Sequence, residues 1–158
     1  MGKIRAKSGF IVALTAGLVT AYTMQGPAEL RKAWDLEQQG QLEAAVSHYE
    51  NAARYGVSNV SEEGRKAYRI AWELERSGDK DLLNDYMRAV EASPQSAMAR
   101  FSAGDQFAKL IDGAEPYVAE DASRIAAFHY RVGLVFGTRF PELNAEYQDK
   151  LNSLETKK

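Results

Sequence analysis

Two histidines, His48 and His129, are the side chains whose ordinary ionisation lies near neutrality, so acid–base or metal chemistry would start from them. They fall in separate segments, and neither has a second histidine at metal-ligand spacing. Each reads as a surface or satisfied core residue. Adjacent carboxylates occur at Glu62-Glu63 and Glu120-Asp121, but both pairs stand where helices are expected to start, and negative charge there is favoured by the helix dipole. Their reading is structural rather than acid–base. The chain has no cysteine, which excludes a thiol nucleophile, a thiolate metal site, a disulfide and a lipidated cysteine. No phosphate-binding glycine loop or nucleophile elbow occurs. The expectation is a non-enzyme without cofactor, metal site or evident small-molecule substrate. An enzyme working through residues that one sequence does not reveal is the remote alternative.

Charge narrows the partners further. The chain carries 20 basic and 22 acidic residues. Lys3, Arg5 and Lys7 all precede the first acid, so the rest has 17 basic against 22 acidic residues, a net charge of −5. Nucleic acid needs clustered lysine and arginine, and a mildly acidic body without a basic stripe argues against it. At 158 residues, one compact domain is expected.

Those three basic residues open an uncharged run from Ser8 to Met24. Its 17 residues sit between the length of a cleavable signal and that of a retained anchor. The leading reading is a single-pass signal anchor over residues 1–26, with Tyr22 placed for the interface and the membrane met through residues 8–24. The N-terminus is then cytoplasmic in an inner membrane and the body, 27–158, periplasmic. The alternatives are a signal cleaved after Val19-Thr20-Ala21, giving a soluble periplasmic protein, and a mitochondrial presequence.

Beyond Pro27 the apolar residues recur at three and four, and no alternating run suggests a strand, so the class is all-α. Glycine and proline punctuation predicts helices near 28–39, 42–54, 62–77, 80–92, 96–111, 116–136 and 142–154. The segment Ala33-Trp34-Asp35-Leu36-Glu37-Gln38-Gln39-Gly40 returns 38 residues later as Ala71-Trp72-Glu73-Leu74-Glu75-Arg76-Ser77-Gly78, with five of eight positions identical. Both copies end in a glycine suited to a left-handed helix cap and are followed by another helix, which makes each a hairpin. Asp112-Gly113 divides a third hairpin. The last helix carries Leu143, Tyr147, Leu151 and Leu154 on one face, as an amphipathic cap should.

On Ala33 and Ala71, Leu36 and Leu74, Gly40 and Gly78, then Ala45, Tyr49 and Ala52, the chain resembles the tetratricopeptide repeat superfamily and its Sel1-like relatives. Tyr49-Glu50-Asn51-Ala52-Ala53-Arg54-Tyr55-Gly56 looks like the close of a Sel1-like unit. The resemblance covers about residues 28–95 and continues in degenerate form to about 136. It departs from the pattern at Glu29 and Ala67, at Leu83 and Met87 in the second unit, and at Pro94. It implies a short α-solenoid of helix-turn-helix hairpins closed by the C-terminal capping helix.

The resemblance also implies that the first helix of each hairpin lines a concave surface. Trp34 and Trp72 would face it, with Leu30 and Tyr68 one turn earlier and Gln38 and Arg76 one turn later. Tryptophan, tyrosine and arginine dominate binding hot spots, so Leu30, Trp34, Tyr68, Trp72 and Arg76 form the expected partner-binding surface; the bland reading packs both tryptophans between hairpins. The expected function is a membrane-anchored scaffold or adaptor that binds a partner protein, as an accessory subunit of a larger membrane-associated complex.

Overall fold

The computed structural model describes residues 24–156, which form helices and no strand. The fold is all-α. In chain order the elements are α1 (24–38), α2 (Leu42–Arg54), α3 (Glu62–Arg76), α4 (Leu83–Ala92), α5 (Ala97–Lys109), α6 (Pro116–Phe136) and α7 (Pro141–Glu155). Among the described residues no helix is long and apolar enough to cross a membrane. The expected span at residues 8–24 lies outside them except for Met24.

The helix ends follow from local chemistry. Ser61 accepts a hydrogen bond from the Gly64 N–H at 2.9 Å and caps α3, with Glu62 and Glu63 in the first turn. Ser96 caps α5 through the Ala99 N–H at 3.3 Å. Pro116 and Pro141 open α6 and α7, where a missing N–H costs nothing. Gly40, Gly56 and Gly78 all take positive φ, at 74°, 84° and 92°. At each, the glycine N–H and the next residue's N–H bond back to carbonyls three and five residues earlier, the paired closure that left-handed caps permit.

The repeat is visible in the packing, with one correction. Ala33 and Ala71 are fully buried. Tyr49 donates to Glu37 Oε2 at 2.5 Å, and in the second hairpin the equivalent bond runs from Tyr86 to Glu75 Oε2 at 2.5 Å. The residues matching Ala45, Tyr49 and Ala52 are therefore Leu82, Tyr86 and Ala89, all buried, rather than the series through Leu83 and Met87. The period is 38 along the first helices and 37 along the second, because one residue is lost after Gly78. Asp79, Lys80 and Asp81 form the turn there, and α4 starts three residues later than expected.

Consecutive helices pair as hairpins: α3 packs on α4 and α5 on α6. The third hairpin touches both others, α5 lying on α4 and α6 on α2. Glycines permit the close approach of α5 and α6: a Cβ at Gly104 would strike the Tyr130 ring, and one at Gly133 the Phe101 ring. The cap α7 buries Tyr147 and Leu151, and the Tyr147 ring stacks on Phe101 at 4.0 Å. Asp105 on α5 accepts from Tyr130 at 2.8 Å, Tyr147 at 2.6 Å and Lys150 at 3.1 Å, holding α7 in place.

At the centre lies Arg100, fully buried. Its Nη1 and Nη2 grip Glu37 at 2.7 and 2.8 Å, Nη2 also donates to Tyr49 at 2.7 Å, Nε to the Pro94 carbonyl at 2.9 Å, and Nη1 to His129 Nδ1 at 3.3 Å. Every guanidinium N–H thus has an acceptor. Burial acts most strongly and lowers the Arg100 pKa, but Glu37 and Tyr49 together more than offset it and leave the pKa raised. Glu37→Ala or Arg100→Ala strands a buried charge and is expected to cost about 3 to 5 kcal/mol, whereas an apolar replacement of both should cost far less than the two single changes summed. Chemical denaturation of the four proteins in the cycle checks this; additive losses would contradict it.

Candidate functional site

The five residues expected on a binding surface are placed differently from one another. Leu30 packs against the cluster that holds Ala33, Tyr49, Phe128 and Val132. Trp34 and Tyr68 are half-buried against a second cluster, built on Ala71, Tyr86 and Val90. The Tyr68 ring lies 5.9 Å from that of Tyr86. Trp72 is 43% exposed, and Arg76 stands over its ring at 4.7 Å, a cation–π contact on open surface. Trp34 keeps one edge in a cleft between α1 and α4, of about 340 Å³, beside Gln38, Asn84, Met87 and Arg88. The structure therefore unites Trp72 with Arg76 and Trp34 with Tyr68, and gives Leu30 to the packing of α1 and α2 on α6.

The candidate acid–base residues are engaged structurally. His48 Nδ1 lies 2.5 Å from Glu29 Oε2 and ties α1 to α2; this hydrogen bond is the main cause that lowers the Glu29 pKa. Glu62 pairs with Lys66 at 2.8 Å and Asp121 with Arg124 at 3.4 Å, all on open surface. Among the described residues no group of three His, Asp or Glu side chains is placed to hold a metal ion. The buried ionic centre at Arg100 is closed off by the side chains that bind it, so its work is to hold helices.

One surface went unforeseen. At the α5–α6 turn, Leu110, Tyr117 and Val118 are exposed to 47%, 71% and 39%. Beside them Ala108, Ile111, Ala119 and Leu154 line an open hollow of about 690 Å³, whose polar walls include Asp112 and Glu120. The helix expected near 96–111 takes in Leu110 and Ile111 as apolar positions. Helix α5 ends at Lys109, one residue before them, and Gly113, at φ 78°, turns the chain away.

His129 is buried among Phe107, Phe128 and Arg100, with its ring stacked on Phe107 at 5.5 Å. Burial first, and the Arg100 charge second, hold its pKa well below the ordinary 6.5. The unfolded chain then binds more protons than the folded one as pH falls below about 6.5, so this residue's contribution is complete above that value and is lost on acidification, with a slope of up to ~1.4 kcal/mol per pH unit. Urea midpoints measured between neutral pH and mildly acidic pH should fall in the native chain and fall less in His129→Gln. Equal slopes would remove His129 from the account.

No protein-family model matches the chain, and no curated protein matches it, which leaves residues and geometry to carry the function.

Proposed function

We propose that the chain is a non-catalytic adaptor, held in a membrane by its segment from Ser8 to Met24, whose helical body lies outside the cytoplasm and binds a partner protein. The observation that carries this reading is the acid-rimmed hollow at the α5–α6 turn, lined by Ala108, Ile111, Ala119 and Leu154, on a turn that also leaves Leu110, Tyr117 and Val118 exposed. An apolar-walled hollow with water-exposed Leu, Tyr and Val on the same turn is what a partner would cover. Asp112 and Glu120 on its walls, with Glu115 and Asp121 nearby, favour a basic amphipathic helix as the element that docks. Trp72 and Arg76 supply a second contact from α3.

The repeated hairpins support an architecture akin to a short tetratricopeptide or Sel1-like α-solenoid: small buried residues at the helix approach, left-handed turn glycines and a recurring tyrosine–glutamate bond. Such arrays present surface rather than chemistry. The soluble periplasmic alternative differs only at the N-terminus, and the mass of the mature chain separates it from the anchored form.

A photoactivatable residue placed at Tyr117 in the full chain should give one partner adduct in intact membranes, and Val118→Asp should abolish it without moving the melting temperature. Protease added from the outer side should reach the C-terminus. Shielding of the C-terminus on the cytoplasmic side would overturn the topology. Adducts unchanged by Val118→Asp would overturn the surface.

A further inference from the structure

The alternation of hairpins sorts the loops into two poles. The α2–α3, α4–α5 and α6–α7 connections share one: the first two are tied where Ser61 N–H donates to Ser93 Oγ at 2.8 Å and Gln95 Nε2 donates to the Asn59 carbonyl at 2.7 Å, and the third lines the same cleft beside them. The chain enters α1 at that pole: Gly26 lies against Tyr55 and Val57, and any side chain there would collide with them. The apolar run of the sequence therefore joins the body next to these three loops. The turns at Gly40, Gly78 and Gly113 lie at the far pole.

Between the three loops opens a cleft of about 300 Å³. Arg65 and Arg139 are on its walls, both exposed, without an ion-pair partner among the described residues, and no acidic side chain lines it. Phe136, Met98 and Phe140 give it an apolar side, and Phe140 is 45% exposed. Gln95 adds a buried Oε1 that accepts no hydrogen bond. Two free guanidiniums, an apolar wall and an unused acceptor match an amphiphile with an anionic phosphate, a donor-bearing headgroup and acyl chains.

We propose that this pole rests on the bilayer and that the cleft takes an anionic phospholipid, its phosphate held by Arg65 and Arg139 and its apolar part laid along Phe136 and Phe140. The proposal rests on the reading of Ser8 to Met24 as a retained anchor, since that anchor brings the cleft to the headgroups. Phe140 then sits where aromatic side chains are favoured at a membrane interface. The acids nearest in sequence, Glu62, Glu63 and Glu142, stand outside the cleft's walls.

The absence of cysteine allows a clean test. The full chain is reconstituted in vesicles that mix phosphatidylcholine with phosphatidylglycerol brominated near the carbonyl end of its chains, carrying one fluorescent label on Thr138→Cys or, at the far pole, on Lys80→Cys. The label at 138 should be strongly quenched and the label at 80 should not. Adding R65A/R139A should weaken the apparent affinity for the anionic lipid by roughly 30-fold, at about 1 kcal/mol for each cation removed, and so remove most of the quenching at 138. Circular dichroism of that variant should match the parent, because both side chains are exposed. If the chain resists carbonate extraction and the two labels are quenched alike, the anchor stands and the cleft proposal falls. Quenching at 138 that R65A/R139A leaves unchanged means that the tether alone brings the pole near lipid, which also overturns the cleft. A chain that carbonate strips from the vesicles overturns the anchor reading, and with it this inference.

Discussion

A guanidinium taken fully out of water has to satisfy all five of its N–H groups, and the fold meets that demand at Arg100 by bringing the first hairpin, the third and the loop before α5 to one point. The acceptors come from α1 (Glu37), α2 (Tyr49), the loop before α5 (Pro94) and α6 (His129). None of these groups can shift by a helical turn without leaving a buried charge unpaired, a loss larger than that of most single packing contacts. An apolar core of similar volume could be as stable. What the ionic centre adds is register: it ties the third hairpin to the first across 63 residues of chain. The second hairpin shows the same tyrosine–glutamate bond without the arginine. There the cation beside Glu75 is Lys109, at 3.8 Å and in the open, so the third hairpin is joined to the first by a buried ion pair and to the second chiefly by apolar packing of Ala99 and Ala103.

How far the sequence could be read follows from the range of each interaction. Turn glycines and cap serines act over a few residues, so the hairpins and most helix ends were legible. Ala33, Ala71 and the two turns were placed by that local grammar and by the repeat. The slip to Leu82 and Tyr86 was not, because the alignment was extended through Gly78 at a constant period, whereas α4 is set by which face meets Glu75 and α3. Arg100 was passed over for a related reason. A lone arginine between Ala99 and Phe101 looks like a surface residue until acceptors from distant segments surround it.

The expected ladder failed to appear as one surface for a third reason. It was inferred from how hairpins stack on their neighbours, but α6 also packs on α2. That contact draws Leu30 into the first cluster, while Trp34 is shared with the second hairpin. The positions left open are those the third hairpin does not reach, Trp72 and Arg76 among them. The apolar hollow was missed because helical periodicity assigns Leu110 and Ile111 to a core face and cannot report that α5 has already ended.

The two poles give the proposed function a geometry. Helix α6, at 21 residues, is about 31 Å long at the ordinary rise of an α-helix. It runs from the apolar hollow near its start to the cleft of Arg139 and Phe140 beyond its end. With the cleft pole on the bilayer, the hollow stands about 30 Å away, well clear of a headgroup layer only some 5 to 8 Å deep. Lipid cannot cover Leu110, Tyr117 and Val118 at that height, and a membrane-spanning segment of another protein cannot reach them. On the proposed function, the element that docks there is therefore extramembrane, and a short helical body on a tether is suited to holding such an element at a fixed distance from the membrane.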